Sequence, residues 1–149
     1  MLFKIQQKNS KQLEKLLHTT IAHNHNFYQA YIQLANLYGK KGMTTEAITT
    51  MEEAMKANPQ NPYLANNLAW LYIQYQPDSI DKAMGLAQLA YERLPDNPAA
   101  ADTLGWLYYR KNMPTRAVWL LEKAIKIVPD NQLIKNHLHT IFTSQGKNK

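Results

Sequence analysis

Three stretches of this chain repeat one pattern of apolar and small residues at a spacing of 34 to 36 positions. The first is Tyr31-Leu34-Ala35-Tyr38-Gly42-Ala47-Met51-Ala54-Pro59. The second is Ala65-Leu68-Ala69-Tyr72 followed by Ala83-Ala87-Ala90-Pro95, and the third is Ala101-Leu104-Gly105-Tyr108 followed by Ala117-Leu121-Ala124-Pro129. A period of this size marks an array of small supersecondary units, each unable to bury its apolar face without a neighbour. Arrays of this kind serve as surfaces that hold other proteins more often than as vessels for chemistry.

Within each repeat the apolar residues recur at three and four, which is helical spacing. Tyr31, Leu34, Ala35, Leu37 and Tyr38 form one face of a first helix, which Lys40-Lys41-Gly42-Met43 breaks, Gly42 being suited to a left-handed cap. Thr44 or Thr45 is expected to cap a second helix whose inner face is Ala47, Ile48, Met51, Ala54 and Met55. Asn58-Pro59-Gln60-Asn61-Pro62 ends it, because proline cannot continue a helix and restricts the residue before it. In the third repeat Pro114 falls at a helix start, where its missing N–H costs nothing. Gln74 to Ser79 lengthens the turn of the second repeat by two residues, an insertion that a surface loop tolerates. Small residues recur in two columns, Ala35/Ala69/Gly105 and Ala47/Ala83/Ala117, where paired helices must approach closely.

The pattern predicts an all-α chain forming one domain over 1–149. Repeats span 28–61, 62–97 and 98–131. An incomplete unit over 1–27 carries Leu13, Leu16, Leu17 and Ile21 on a second-type helix. A capping helix and tail over 132–149 carries the stripe Ile134-Leu138-Ile141-Phe142, apolar enough for a further contact on that edge.

Charge narrows the partner. The net +6 divides into +3 over residues 1–27, 0, −2 and +2 over the three repeats, and +3 over residues 132–149. With the excess at the ends and no continuous basic track, nucleic-acid binding is not expected, and terminal lysines read as solubilising. No apolar run approaches the length of a membrane span, and Met1 to Ile5 is too short for a secretory apolar core. Zero cysteines exclude disulfides, thiolate catalysis and Cys-type zinc sites. His23/His25 and His137/His139 are two residues apart, which on a helix points the rings about 200° away from each other; His23 and His25 could share an ion if their segment is extended, but no third ligand is evident, so no metal site is expected. No HExxH, phosphate-loop or GxSxG motif occurs, and no cofactor is expected.

The template resembles the tetratricopeptide repeat (TPR): the 34-residue period, the small residue after leucine, the tyrosine three later, the central alanine and the terminal proline. The resemblance covers residues 28–131 in full and the flanks in part. It implies a right-handed superhelical array of antiparallel helix pairs, three full repeats with partial repeats at both ends, and a concave groove lined by the first helices. Asn66-Asn67-Leu68-Ala69-Trp70-Leu71-Tyr72 and Asp102-Thr103-Leu104-Gly105-Trp106-Leu107-Tyr108 also resemble the last repeats of bacterial TPR lipoproteins accompanying exosortase and exopolysaccharide systems. On that likeness the chain is a fragment of a periplasmic or envelope protein. If Met1 is the natural start, it is cytoplasmic.

Mapped through the resemblance, the groove displays Gln29, Ile32, Gln33, Asn36 and Lys40, then Tyr63, Asn66, Asn67, Trp70, Ile73 and Gln74. Ala99, Asp102, Thr103, Trp106, Tyr109 and Arg110 follow, and Asn136, His137 and Thr140 close the row. The implied partner is an extended peptide or protein segment, held chiefly by Asn36, Tyr63, Asn66, Asn67, Trp70, Asp102, Trp106, Tyr109, Arg110 and Asn136. Amides satisfy a peptide backbone without demanding a sequence, and Trp and Tyr are typical anchors. Trp70 and Trp106 share a template position and should lie side by side, either filling the core or partly exposed for binding. Trp119 reads as packing. Chaperone-binding members of the family hold a C-terminal carboxylate through two asparagines and three basic residues. Asn36 and Asn67 match the asparagines, whereas Ile32, Ala99 and Thr103 stand at the basic positions, so tight binding of EEVD-type tails is not expected. The implied function is a non-enzymatic scaffold. Beside it stand an architectural or oligomerising module acting through the apolar terminal helices, and an accessory domain of a larger envelope or exopolysaccharide protein. Nothing in the sequence sets the oligomeric state.

Overall fold

The protein, as a computed structural model, is described over residues 1–146. Eight α-helices run through these residues: α1 (Leu2–His23), α2 (Tyr28–Lys40), α3 (Thr44–Ala57), α4 (Pro62–Tyr75), α5 (Ile80–Arg93), α6 (Pro98–Arg110), α7 (Pro114–Ile127) and α8 (Gln132–Ser144). The two-residue insertion of the second repeat forms a 3-10 turn, Pro77–Ser79, between α4 and α5. Lys147 and Lys149, two of the three lysines in the basic C-terminal excess, lie outside the described residues.

Each helix packs on the next, which gives two layers. The backbones of α2 and α4, of α4 and α6 and of α6 and α8 approach closely, whereas among the described residues those of α1, α3, α5 and α7 stay apart, α5 and α7 meeting through the side chains of Tyr91 and Lys123. The even-numbered helices therefore form the inner face of the superhelix and the odd-numbered ones the outer. One continuous core runs from Leu17 to Ile141. The small-residue columns sit where the layers meet: Ala47, Ala83 and Ala117 are fully buried. A Cβ on Gly105 would lie 3.1 Å from Leu121 Cγ and 3.3 Å from both Ala117 O and Leu120 Cβ, so at this position of the column even a methyl requires its neighbours to shift.

The turns follow from local chemistry. Gly42 takes φ 74°, and Asn112, at its position in the third repeat, takes φ 59°. In both, the next amide reaches back over the helix end, Met43 N–H to Tyr38 O and Met113 N–H to Tyr108 O, closing the first helix. Between repeats, asparagine starts the next helix. Asn61 Oδ1 accepts from the amides of Tyr63 and Leu64, and Asn97 Oδ1 from those of Ala99 and Ala100, each ahead of a proline in the first turn. Thr44 and Thr45 do not cap α3: Met43 holds the cap position with no side-chain bond, since Thr44 is already helical.

Both terminal helices differ from expectation. On α1 only Leu17 is buried, with Ile21 half-buried, while Leu13 and Leu16 face solvent because α2 covers a single side of the helix. On α8 the apolar stripe is consumed: Ile134 and Ile141 are buried and Leu138 and Phe142 half-buried, leaving Leu133 as the exposed apolar residue of that helix. An edge contact at α8 has Leu133 and the exposed parts of Leu138 and Phe142 to use.

Candidate groove site

α4, α6 and α8 turn their opening turns toward one another on the inner face and enclose a cleft of about 250 Å³, lined by Asn66, Asn67, Trp70, Ala99, Thr103 and Leu133 among others. Asn66 is half-buried, and its Oδ1 is buried with no hydrogen-bond partner. Neighbouring Asn67 is engaged: its Nδ2 donates to Tyr63 O at 2.9 Å. Thr103 is buried and donates from Oγ1 to Ala99 O, so it does not reach Asn66. A buried amide oxygen left unpaired costs free energy that an incoming N–H would recover.

One wall of this cleft, where Asp102 also lines it, is closed. Asp102 is 4% exposed and His137 7% exposed, and the imidazole Nδ1–H donates to the Asp102 carboxylate at 2.7 Å. Trp106 stacks on the same imidazole, with ring centroids 4.1 Å apart and planes 17° from parallel, and meets Tyr109 at 5.1 Å, tilted by 38°. Trp70 approaches His137 at 6.0 Å. The two tryptophans are thus joined through His137, both half-buried, where side-by-side contact was expected. Asp102 has its carboxylate committed inside the protein.

Residues 28–61 match the family model described as Tetratricopeptide repeat. The whole array matches solved structures of the same architecture. It overlays the MamA 41-end structure from Desulfovibrio magneticus RS-1 with a TM-score of 0.76 at 14% identity, covering 96% of this chain and 80% of that one. Residues 28–61 are a tetratricopeptide repeat, and the chain has the fold of an array of them. The first TPR of Spaghetti (RPAP3) bound to the HSP90 peptide SRMEEVD gives a TM-score of 0.69 at 24% identity, over 80% of this chain and 93% of that one. Pseudomonas aeruginosa PilF gives 0.75 at 16% identity, over 98% of this chain and 66% of that one. At these identities the overlays speak for the fold. No curated protein matches the sequence significantly.

The other groove residues of this TPR array fall into two sets. Gln29, Gln33, Asn36, Lys40 and Gln74 are exposed on α2 and α4, with Ile32 and Ile73 half-buried among them. Tyr63 is exposed and stacks on Tyr28, centroids 5.9 Å apart and planes 4° from parallel, bridging α2 to α4. Toward the other end Arg110, Asn136 and Thr140 are exposed and Tyr109 is half-buried. Asn136 Oδ1 accepts from Gln132 Nε2, and Thr140 donates to Asn136 O. Among the described residues no group of His, Asp or Glu side chains is placed to hold a metal ion, and no helix is long and apolar enough to cross a membrane.

One feature of the TPR array escapes its template. Trp119, expected to pack, is 62% exposed. The buried face of α7 is Ala117, Leu120, Leu121 and Ala124, and a residue two positions beyond Ala117 points to the opposite side of the helix. Trp119 borders an outer cleft of about 620 Å³ between α5 and α7, floored by Leu104 and Tyr108. In the first two repeats the template tyrosine donates to a carboxylate on the preceding outer helix, Tyr38 to Glu14 and Tyr72 to Glu52. In the third, Gln88 stands at the position of Glu52, and Tyr108 lies under Arg116, 5.6 Å from ring centroid to guanidinium carbon.

Proposed function

We propose that this chain is a non-enzymatic scaffold that holds an extended segment of a partner protein on its concave face, centred on Asn66 and Asn67 and running over α2 and α4. TPR proteins generally mediate contacts between proteins. The observation that carries the finer reading is Asn66 Oδ1, a buried acceptor without a donor at the wall of an open cleft. The backbone N–H of a strand laid along the groove supplies that donor once the Asn66 amide turns toward the cleft. Asn36, Gln33 and Tyr63 extend the same surface with exposed amides and an aromatic ring. Preformed helices keep the ordering cost on the receptor side low, so a few such contacts suffice for binding.

The similar structure with bound SRMEEVD ends that peptide in an acidic tail. This chain has Ile32, Ala99 and Thr103 where the family's tail-binding members carry cations, and Thr103 is buried besides. A carboxylate placed there would lose water and gain no charge-assisted partner. Calorimetry with SRMEEVD is expected to give no binding, and a micromolar dissociation constant would contradict the reading.

The direct experiment is capture from lysate by the wild type and by Asn66→Ala/Asn67→Ala. The variant removes an unpaired acceptor, so its melting temperature should hold or rise while capture is lost. Capture retained by the folded variant would move the binding surface elsewhere.

A further inference from the structure

α1 is a helix of 22 residues, whereas the other helices have 13 or 14. Its contact with the array is confined to its later turns. Leu17 is buried, His18 meets the Tyr38 hydroxyl, and Glu14 accepts from Lys41 just past the end of α2. The turns before Glu14 run on beyond α2 as an arm of roughly 18 Å. Every residue from Met1 to Asn9 is exposed, Leu2 and Phe3 at 78% and 70%. A few helical turns without packing are marginal in water, so burying the arm's apolar side would stabilise it.

The arm is amphipathic in a particular way. Lys4, Lys8, Lys11 and Lys15 follow at four, three and four, which places them within about 60° on one side of the helix. Leu2, Ile5, Leu13 and Leu16, all exposed, form a separate stripe about 80° wide, with Phe3 also away from the lysines. Lysines on the polar face and exposed leucine, isoleucine and phenylalanine on the other are what an interfacial helix presents to lipid. Lys40 is a further exposed cation on the neighbouring helix, beside the shallow recess that α1 makes with α2.

We propose that the α1 arm is a peripheral anchor for anionic membrane surfaces. It would lie in the headgroup region with Leu2, Ile5, Leu13 and Leu16 inserted and its lysines reaching the lipid phosphates. Charge decides against a second copy as the occupant, because pairing two arms brings two lysine stripes into one interface. Shape decides for a bilayer over an acidic peptide, because Leu2, Ile5 and Leu16 lie outside the recess that the arm makes with α2, on an open side that a flat surface can meet along the helix. α1 belongs to the outer layer, so seating it leaves the concave face open to its own partner.

The test is flotation of the full chain with vesicles of phosphatidylglycerol mixed with phosphatidylcholine, and with phosphatidylcholine alone. Two variants accompany it, Lys4→Gln/Lys8→Gln/Lys11→Gln and Leu2→Gln/Phe3→Gln/Ile5→Gln. All six positions are exposed, so both variants should melt with the wild type. The wild type is expected to partition onto the anionic vesicles and not the neutral ones. The lysine variant should bind on the order of a hundredfold more weakly, and the apolar variant at least about tenfold more weakly. No flotation of the wild type with the anionic vesicles overturns the proposal, as does flotation unchanged in both variants. So does a concentration-dependent doubling of mass, lost in the apolar variant, without vesicle binding, which would seat a second copy on the arm.

Discussion

Asn66 and Asp102 occupy the same template position one repeat apart, on α4 and α6, and their surroundings are opposite. Asp102 is buried and bonded to His137, with Trp106 stacked on the imidazole; Asn66 keeps a buried oxygen with no partner beside an open cleft. The difference lies in the next helix. α6 sends Thr103 toward Asn66, and its hydroxyl turns back to Ala99 O. α8 sends His137, from the template position of Thr103, and the imidazole spans the gap. The role of an inner-face residue is therefore set by its neighbour across the groove as much as by its own chemistry. Half of the concave face has closed on itself and the other half presents its amides.

The sharpest break of this comparison is truncation at each end. Trp106→Ala removes the ring stacked on His137 and should cost roughly 2–3 kcal/mol in chemical denaturation, somewhat below the range for a wholly buried tryptophan. Asn66→Ala should cost nothing. Equal losses at the two sites would mean that both halves are structural.

Gly105 tests how tightly the closed half is held from behind. Leucine there must displace Leu121, Leu120 or the Ala117 carbonyl, all within 3.3 Å of the new Cβ. Overpacking of this kind costs about 1–3 kcal/mol, and an unchanged melting temperature would remove the glycine's packing role.

A smaller effect belongs to the open half. Tyr31, Tyr38 and Tyr72 have hydroxyl pKa values raised above the ordinary tyrosine range, by burial first and then by Glu53, Glu14 and Glu52 beside them. A raised folded-state pKa contributes stability below the unfolded value, near 10, and loses it as the pH climbs through the folded value. Stability should hold up to about pH 10 and fall beyond it, with α2 and α4 losing amide-exchange protection before α6. Loss beginning at α6 would contradict the assignment.

How much of this could be read from the sequence follows the same division. The period, the helices and the two small-residue columns are local or strictly repeated, and a single chain displays them. Gly42 announces its left-handed turn, while Asn112 does the same work without the obvious residue. The Asp102–His137 pair joins positions 35 apart and becomes visible only when adjacent inner helices are laid side by side. Trp119 was legible: counting from Ala117 and Leu121 turns it outward, and reading tryptophan as a core residue overrode the period. Leu16 on α1 is exposed for a different reason: α2 covers a single side of that helix, and the period alone does not say which.

The most direct test of the account puts a photo-crosslinking residue at Asn36 on the concave face in one protein and at Trp119 on the outer cleft in another, with partner captured from lysate. The account predicts a crosslinked partner from position 36 and none from position 119. A crosslink from position 119 alone would place the binding surface on the outer layer and contradict it.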